Sequence, residues 1–319
     1  MYQIYCQINL FKFRFKIILF FILILIGCNK KNTNDYEDII VDRFEKKFFS
    51  TKSDSLSFLI SQYPYLFPKN FSHEEWINIK NDSLRKIIFK ETQNKFRGKH
   101  LNSSISKLYN ELRNQFSNFN SPKIITINNG IDFKYKLIDA DSLIILSLDC
   151  YLGNDDLYKN IPAYISQKMN NNFLIRDLAE KLILKQIKYP SDRQFVYKII
   201  YYGKIYNLMV KEFDINEAIA LSYNDNEIEW AINNELEVWK FFIKNQILFN
   251  TSNSMNDRFL NIAPYSKFGI SIDYDSAPMI GKWIGYKIVK SYLKSNNKKI
   301  EDILNMDEYE LYLNSNYKP

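Results

Sequence analysis

The chain has 319 residues, 43 basic against 36 acidic side chains and a formal net charge of +7, with the lysines scattered and no concentrated basic stripe. That distribution gives no footing for nucleic-acid binding. Three cysteines and two histidines leave no disulfide framework, no histidine pair at helical ligand spacing and no His- or Cys-based zinc site.

The first element is a leader. Lys12, Arg14 and Lys16 precede the ten-residue apolar run Ile17 to Ile26, too short for a relaxed membrane span and right for a signal-peptide core. Leu25-Ile26-Gly27-Cys28 has the spacing of a bacterial lipobox, which places cleavage between Gly27 and Cys28 and a lipid on Cys28. The polar stretch NKKNTND follows as a tether, and Asn29 carries no mark for inner-membrane retention. Losing the three leader cations brings the mature charge near +4. The expected organisation is a cleaved signal peptide over 1–27, a lipid-anchored tether over 28–45 and a single domain over 46–319.

Helical periodicity begins at 54–63. Ser72-His73-Glu74-Glu75 is a capping box ahead of Trp76, Ile79, Ile87 and Ile88, and a further helix is expected over 101–117. The register then changes. Ile124 to Ile127 leads into the turn signal Asn128-Asn129-Gly130, Phe133 to Ile138 alternates, and Ser142 to Leu148 is β-rich. Three short strands joined by tight turns follow from this pattern. The aromatic segment Tyr151 to Met169 is a loop placed to line a cleft, or to pack. Beyond it, Phe173 to Gln186 forms an amphipathic helix with Arg176, Asp177, Glu180 and Lys181 opposite its apolar stripe and an Asp177–Lys181 pair at i,i+4. Ser191 to Gln194 is a second capping box, opening a helix to about Phe213. Asn224 to Glu227 is a third, ahead of an apolar stripe through Ile228, Ile232, Leu236, Trp239, Ile243 and Ile247. Helices over 279–295 and 300–313 complete an α+β chain, mostly helical with a small antiparallel sheet of three to four strands.

Each candidate site has a plain alternative. His73 and His100 fall in polar stretches and read as exposed. Cys150 reads as a buried small hydrophobe. The acidic clusters at Asp139/Asp141, Asp155/Asp156 and Asp273/Asp275 read as turn or element-end acids, with neither the glycine nor the terminal glutamate of a calcium loop. Gly281 and Gly285, four apart on one helix face, suit close backbone approach. No P-loop, G-x-G-x-x-G or G-x-S-x-G motif occurs.

The lipobox, SQYPYLFP at 61–68, the run SPKIITINNGIDFKYKLIDADSLIILSLDCYLGNDDLYKNIPAYISQKM, the helix LIRDLAEKLI, YYGKIYNLM, NEIEWAINNELEVWKFFI, APYSKFG and PMIGKWIGYKIVKSYLK follow one another in order. Together they resemble the GldB family of gliding-motility lipoproteins of Bacteroidetes, over nearly the whole mature chain. The family in turn resembles, distantly, predicted zinc peptidases with an H-E-x-x-H helix and a downstream Glu-Gly pair. That resemblance implies a degenerate zincin-like scaffold. Arg176 and Glu180 stand in the two histidine positions, Asp177 in that of the general base, and Tyr202 in that of the ligand glutamate. Arginine and tyrosine cannot replace imidazole and carboxylate at Zn²⁺, so no metal, no cofactor and no catalysis are expected.

What the resemblance implies is an outer-membrane lipoprotein on the periplasmic face, required for motility. It would act as a binding or assembly component beside other gliding and secretion envelope proteins. Two alternatives remain open here: a residual hydrolase using Asp177 and Glu180, and a periplasmic peptide- or glycan-binding lipoprotein.

Overall fold

A computed structural model describes residues 39–319. The expected leader, Gly27, Cys28 and the tether as far as residue 38 lie outside the described residues. The remainder of the tether is folded: Val41 is buried, and Asp42–Arg43 already forms the first strand.

In chain order the elements are β1 (Asp42–Arg43), α1 (Phe44–Ser50), α2 (Leu56–Gln62), α3 (His73–Asn81), α4 (Ser83–Lys95), α5 (His100–Gln115), β2 (Lys123–Ile127), β3 (Leu137–Ala140) and β4 (Leu143–Ser147). Then come α6 (Asp155–Tyr158), α7 (Ala163–Ser166), α8 (Asn171–Leu184), α9 (Phe195–Lys211), α10 (Glu217–Ala220), α11 (Asp225–Asn233), α12 (Glu235–Lys244), α13 (Ser254–Phe259), α14 (Ile280–Ser295) and α15 (Glu308–Leu313). The chain is α+β, as its pattern predicts.

The sheet is mixed, where an antiparallel one is expected. Its order is β1-β2-β4-β3, with β1 and β4 parallel to β2 and only β3 antiparallel to β4. The reason is Asp149. Its buried carboxylate accepts the backbone N–H groups of Asn129 (3.2 Å), Gly130 (2.8 Å) and Ile131 (2.9 Å). Asn128-Asn129-Gly130 is therefore gathered into a clasp instead of reversing into a hairpin, so the chain passes outward, builds β3 at the edge and returns as β4 beside β2. Successive residues of β2 face opposite ways: Ile124 enters the main core, while Ile125 packs with Phe44, Phe48, Leu56, Leu59 and Phe67 in a smaller one.

Two of the three expected capping boxes form, at Ser72/Glu75 and Asn224/Glu227. At the third, Gln194 is the cap residue of α9 without a side-chain bond, and Asp192 instead accepts the Gln194 N–H. The apolar stripe after Asn224 also departs from expectation. It is interrupted at Asn234, and Ile232, Leu236 and Ile243 are exposed while Ala231, Val238 and Phe242 face the core.

The densest contact in the molecule joins α9 to α14. A Cβ on Gly285 would meet the Ile199 carbonyl oxygen at 1.8 Å, and one on Gly203 would meet the Gly285 carbonyl oxygen at 2.3 Å. The close approach read from Gly281 and Gly285 is borne out at both, since a Cβ on Gly281 would lie 2.9 Å from the Phe259 carbonyl oxygen, and Gly203 joins them. Next to Gly203 in the middle of α9, the fully buried Lys204 donates to the carbonyls of Leu304 and Met306 and to Glu308 (2.9 Å), fastening the C-terminal segment.

Candidate functional site

The helix α8 starts at Asn170, whose side chain accepts the Asn172 N–H, and buries Phe173, Leu174, Leu178, Ala179, Leu182 and Ile183. Arg176 is buried too, at 5% exposure, where sequence spacing puts it on a solvated side. A buried guanidinium is tolerable only if its donors are matched. Here Nε donates to the Ala220 carbonyl (3.1 Å), and Nη1 donates to Glu180 (2.6 Å) and to Asp177 (3.0 Å).

Both acids are occupied in turn. Glu180 accepts the Tyr206 hydroxyl of α9 at 2.7 Å, and the Lys282 ammonium of α14 lies 4.0 Å away. Asp177 accepts the Tyr151 hydroxyl at 2.9 Å and is paired with Lys136, not with Lys181 as spacing suggests. Tyr202 enters at one remove: its ring stacks on Tyr206 and lies 4.6 Å beneath Lys282. The four positions singled out in the sequence, Arg176, Asp177, Glu180 and Tyr202, are therefore gathered into one cluster, with the last linked through Lys282.

The electrostatics follow from this wiring. Burial alone would raise the Glu180 carboxyl, but Arg176, Lys282 and the Tyr206 hydroxyl hold it down at about 2. Burial lowers Lys282 to about 8, with Arg176 and Lys168 adding to the effect and Glu180 opposing it. Tyr206 is pushed well above the usual phenol range by burial and by Glu180.

Lys282 carries a testable consequence. The folded chain gives up this proton near pH 8, whereas an ordinary lysine does so at 10.5. Over that window the unfolded chain binds more protons, so stability rises with pH, by up to about 3 kcal/mol. Urea midpoints at pH 7 and pH 10 should show that gain in the wild type relative to Lys282→Met, in which it disappears.

Beside this cluster lies a cavity of about 550 Å³, bordered by Lys136 and Leu137 of the β3 edge, Ile165 and Met169 from the 151–169 segment, and Asp177 and Glu180 of α8. That segment is two short helices, α6 and α7, with a Leu152–Asn170 bridge, and its second half lines the cavity. A metal ion does not suit the helix positions. Arg176 offers only donors and a positive charge, and among the described residues no group of three His, Cys, Asp or Glu side chains is placed to hold one. His73 and His100 are exposed, Cys150 is buried, and Asp273 spends its carboxylate on the Phe268 and Gly269 amides.

Sequence reasoning did not find Lys136, Tyr151, Tyr206 or Lys282. Of these, Lys282 carries a signal: a lone cation inside the glycine- and tryptophan-bearing helix GKWIG.

The family described as gliding motility protein GldB matches residues 28–319. The chain belongs to the GldB family. That membership makes it a gliding-motility lipoprotein of the cell envelope. No curated protein and no solved structure matches the chain. In this GldB-family chain, no helix among the described residues is long and apolar enough to cross a membrane.

Proposed function

We propose that this protein is a non-catalytic binding component of the gliding and associated secretion machinery. Cys28 anchors it by lipid to the periplasmic face of the outer membrane, and it uses a degenerate zinc-peptidase-like scaffold. The observation that carries the reading is the Arg176–Glu180 pair, 2.6 Å long and buried at the slot of a metal-binding helix. A guanidinium bonded to two acids and a carbonyl fills that slot with positive charge, which repels a divalent cation.

The acids are equally unsuited to proton transfer. Glu180 is held ionised far below neutral pH and has no proton to give, and each of its oxygens already accepts a hydrogen bond, from Arg176 and from Tyr206. Asp177 is bonded by Lys136, Tyr151 and Arg176, so among the described residues neither carboxylate lining the cavity is unpartnered. What remains beside the network is a cavity able to receive a ligand. The family match opens at Cys28, the residue that the lipobox makes the first of the mature chain, which supports the anchoring.

Two variants test the reading. Cys28→Ala should leave the membrane fraction and lose gliding, and globomycin should cause the wild-type precursor to accumulate. Cleavage of peptide or glycan by the purified wild type that is lost in a folded Asp177→Asn variant would return the cluster to catalysis, and a Cys28→Ala protein that fractionates and glides like wild type would remove the anchor.

A further inference from the structure

The edge strand and the cavity form one continuous surface. Ala140 pairs with Leu143 across a two-residue turn, and the Ser147 amide donates to the Lys136 carbonyl at 2.9 Å. In an antiparallel ladder the main-chain groups alternate in direction. Ile138 and Ala140 therefore turn theirs toward β4, as Lys136 just before the strand turns its carbonyl, and Leu137 and Asp139 turn theirs outward. β3 is the last strand of the sheet, and among the described residues no hydrogen bond meets the main chain of Leu137 or Asp139 on that outer side. An open edge of this kind is a template for an added strand.

The same strand borders the cavity through Leu137, with Lys136 immediately before it. The cavity lining is amphipathic and unbalanced. Besides Asp177 and Glu180 it carries Lys134, Lys136, Lys168, Arg176 and Lys181, set among apolar side chains such as Met169, Leu184 and Met279. Both acids are neutralised within the lining by Arg176 and Lys136. Lys168 is matched by Glu227 from outside it at 3.2 Å. Positive charge is left over, and Lys282 adds to it from behind Glu180. The volume suits one or two residues, not a folded partner.

We propose that β3 and this cavity bind the C-terminal end of an extended peptide, whose main chain adds to the outward groups of Leu137 and Asp139, whose last apolar side chain fills the cavity, and whose terminal carboxylate is held by the surplus cations. The inference names the ligand class of the binding reading above and rests on it. A bare phosphate would waste the apolar lining, and an acyl chain would leave the strand edge unmatched.

The test uses immobilised full-length protein in detergent, offered a random octapeptide pool with free C-termini and the same pool amidated. Free-carboxylate peptides ending in an apolar residue should be retained at least about tenfold over their amides, the factor a lost charge-assisted bond implies. Asp139→Pro, which removes one outward N–H without touching the β4 ladder, should abolish retention, and Asp139→Asn should keep it. Lys181→Met should weaken retention of free carboxylates several-fold and leave amides unchanged.

Equal retention of both pools, no retention of either, or wild-type retention by Asp139→Pro overturns the proposal. So does binding of dodecanoate with no peptide retained. Cleavage of pool peptides, read by mass spectrometry, would instead strike the non-catalytic reading, whether or not peptides are held.

Discussion

Gly285→Ala should destabilise the protein by about 4 kcal/mol or more, the upper end for a single overpacking substitution. The added methyl would lie 1.8 Å from the Ile199 carbonyl oxygen and 2.4 Å from its carbon, which are backbone atoms of the facing helix and cannot rotate aside. Relief requires α9 and α14 to separate. Their contact joins the Tyr206 side of the ion-pair cluster to the Lys282 side, so the cluster would open with it. Gly269→Ala is the control. It has a positive φ of 85° and nothing within 4 Å of the added carbon, so it should cost only about 1 kcal/mol of backbone strain. Urea denaturation of both variants separates steric collision from lost backbone freedom.

Arg176→Met should cost about 3 kcal/mol at neutral pH, the lower end for breaking a buried ion pair. The substitution removes the principal countercharge of Glu180 and leaves the Ala220 carbonyl without its donor. Glu180 keeps 19% side-chain exposure, the Tyr206 hydroxyl and Lys282 at 4.0 Å, which limits the loss. Adding Glu180→Met should recover much of it, because an apolar pair of similar volume needs no countercharge. The wild-type pair also sets an acid limit. Glu180 titrates at about 2 when folded and near 4.5 otherwise, so its contribution is complete above pH 4.5 and is lost as pH falls toward 2. Thermal melts from pH 7 to pH 3 should show this loss in the wild type and little of it in the double variant.

Local signals in the sequence translated well into structure, and signals that depend on a distant partner did not. Ser72/Glu75 and Asn224/Glu227 are self-contained over four residues and both capping boxes form, whereas the equally local Ser191–Gln194 signal does not, because the helix begins only after Gln194. Gly285 was legible as a close-approach residue because glycine is scarce in this chain and sits in an apolar helix. The turn Asn128-Asn129-Gly130 was misleading because its conformation is set by Asp149, some twenty residues on. Periodicity located the stripe from Ile228 to Ile247 but could not say which flank faces the core, and Ala231, Val238 and Phe242 proved to be that flank. The same division holds at the site. The i,i+4 relation of Arg176 and Glu180 lies within one helix and was visible. Their burial and the arrival of Lys136, Tyr206 and Lys282 come from three other parts of the chain. Asp177–Lys181, a favourable pair on an isolated helix, loses to Lys136 because the sheet edge brings that ammonium to the buried side of Asp177.

The proposed function rests on a guanidinium-centred network, and no metal, at Arg176 and Glu180. Its most direct test is inductively coupled plasma mass spectrometry of the full-length protein, purified in detergent, incubated with excess Zn²⁺ and desalted. The predicted result is substoichiometric zinc, unchanged by Glu180→Ala. One zinc per chain that is lost in Glu180→Ala would contradict the account.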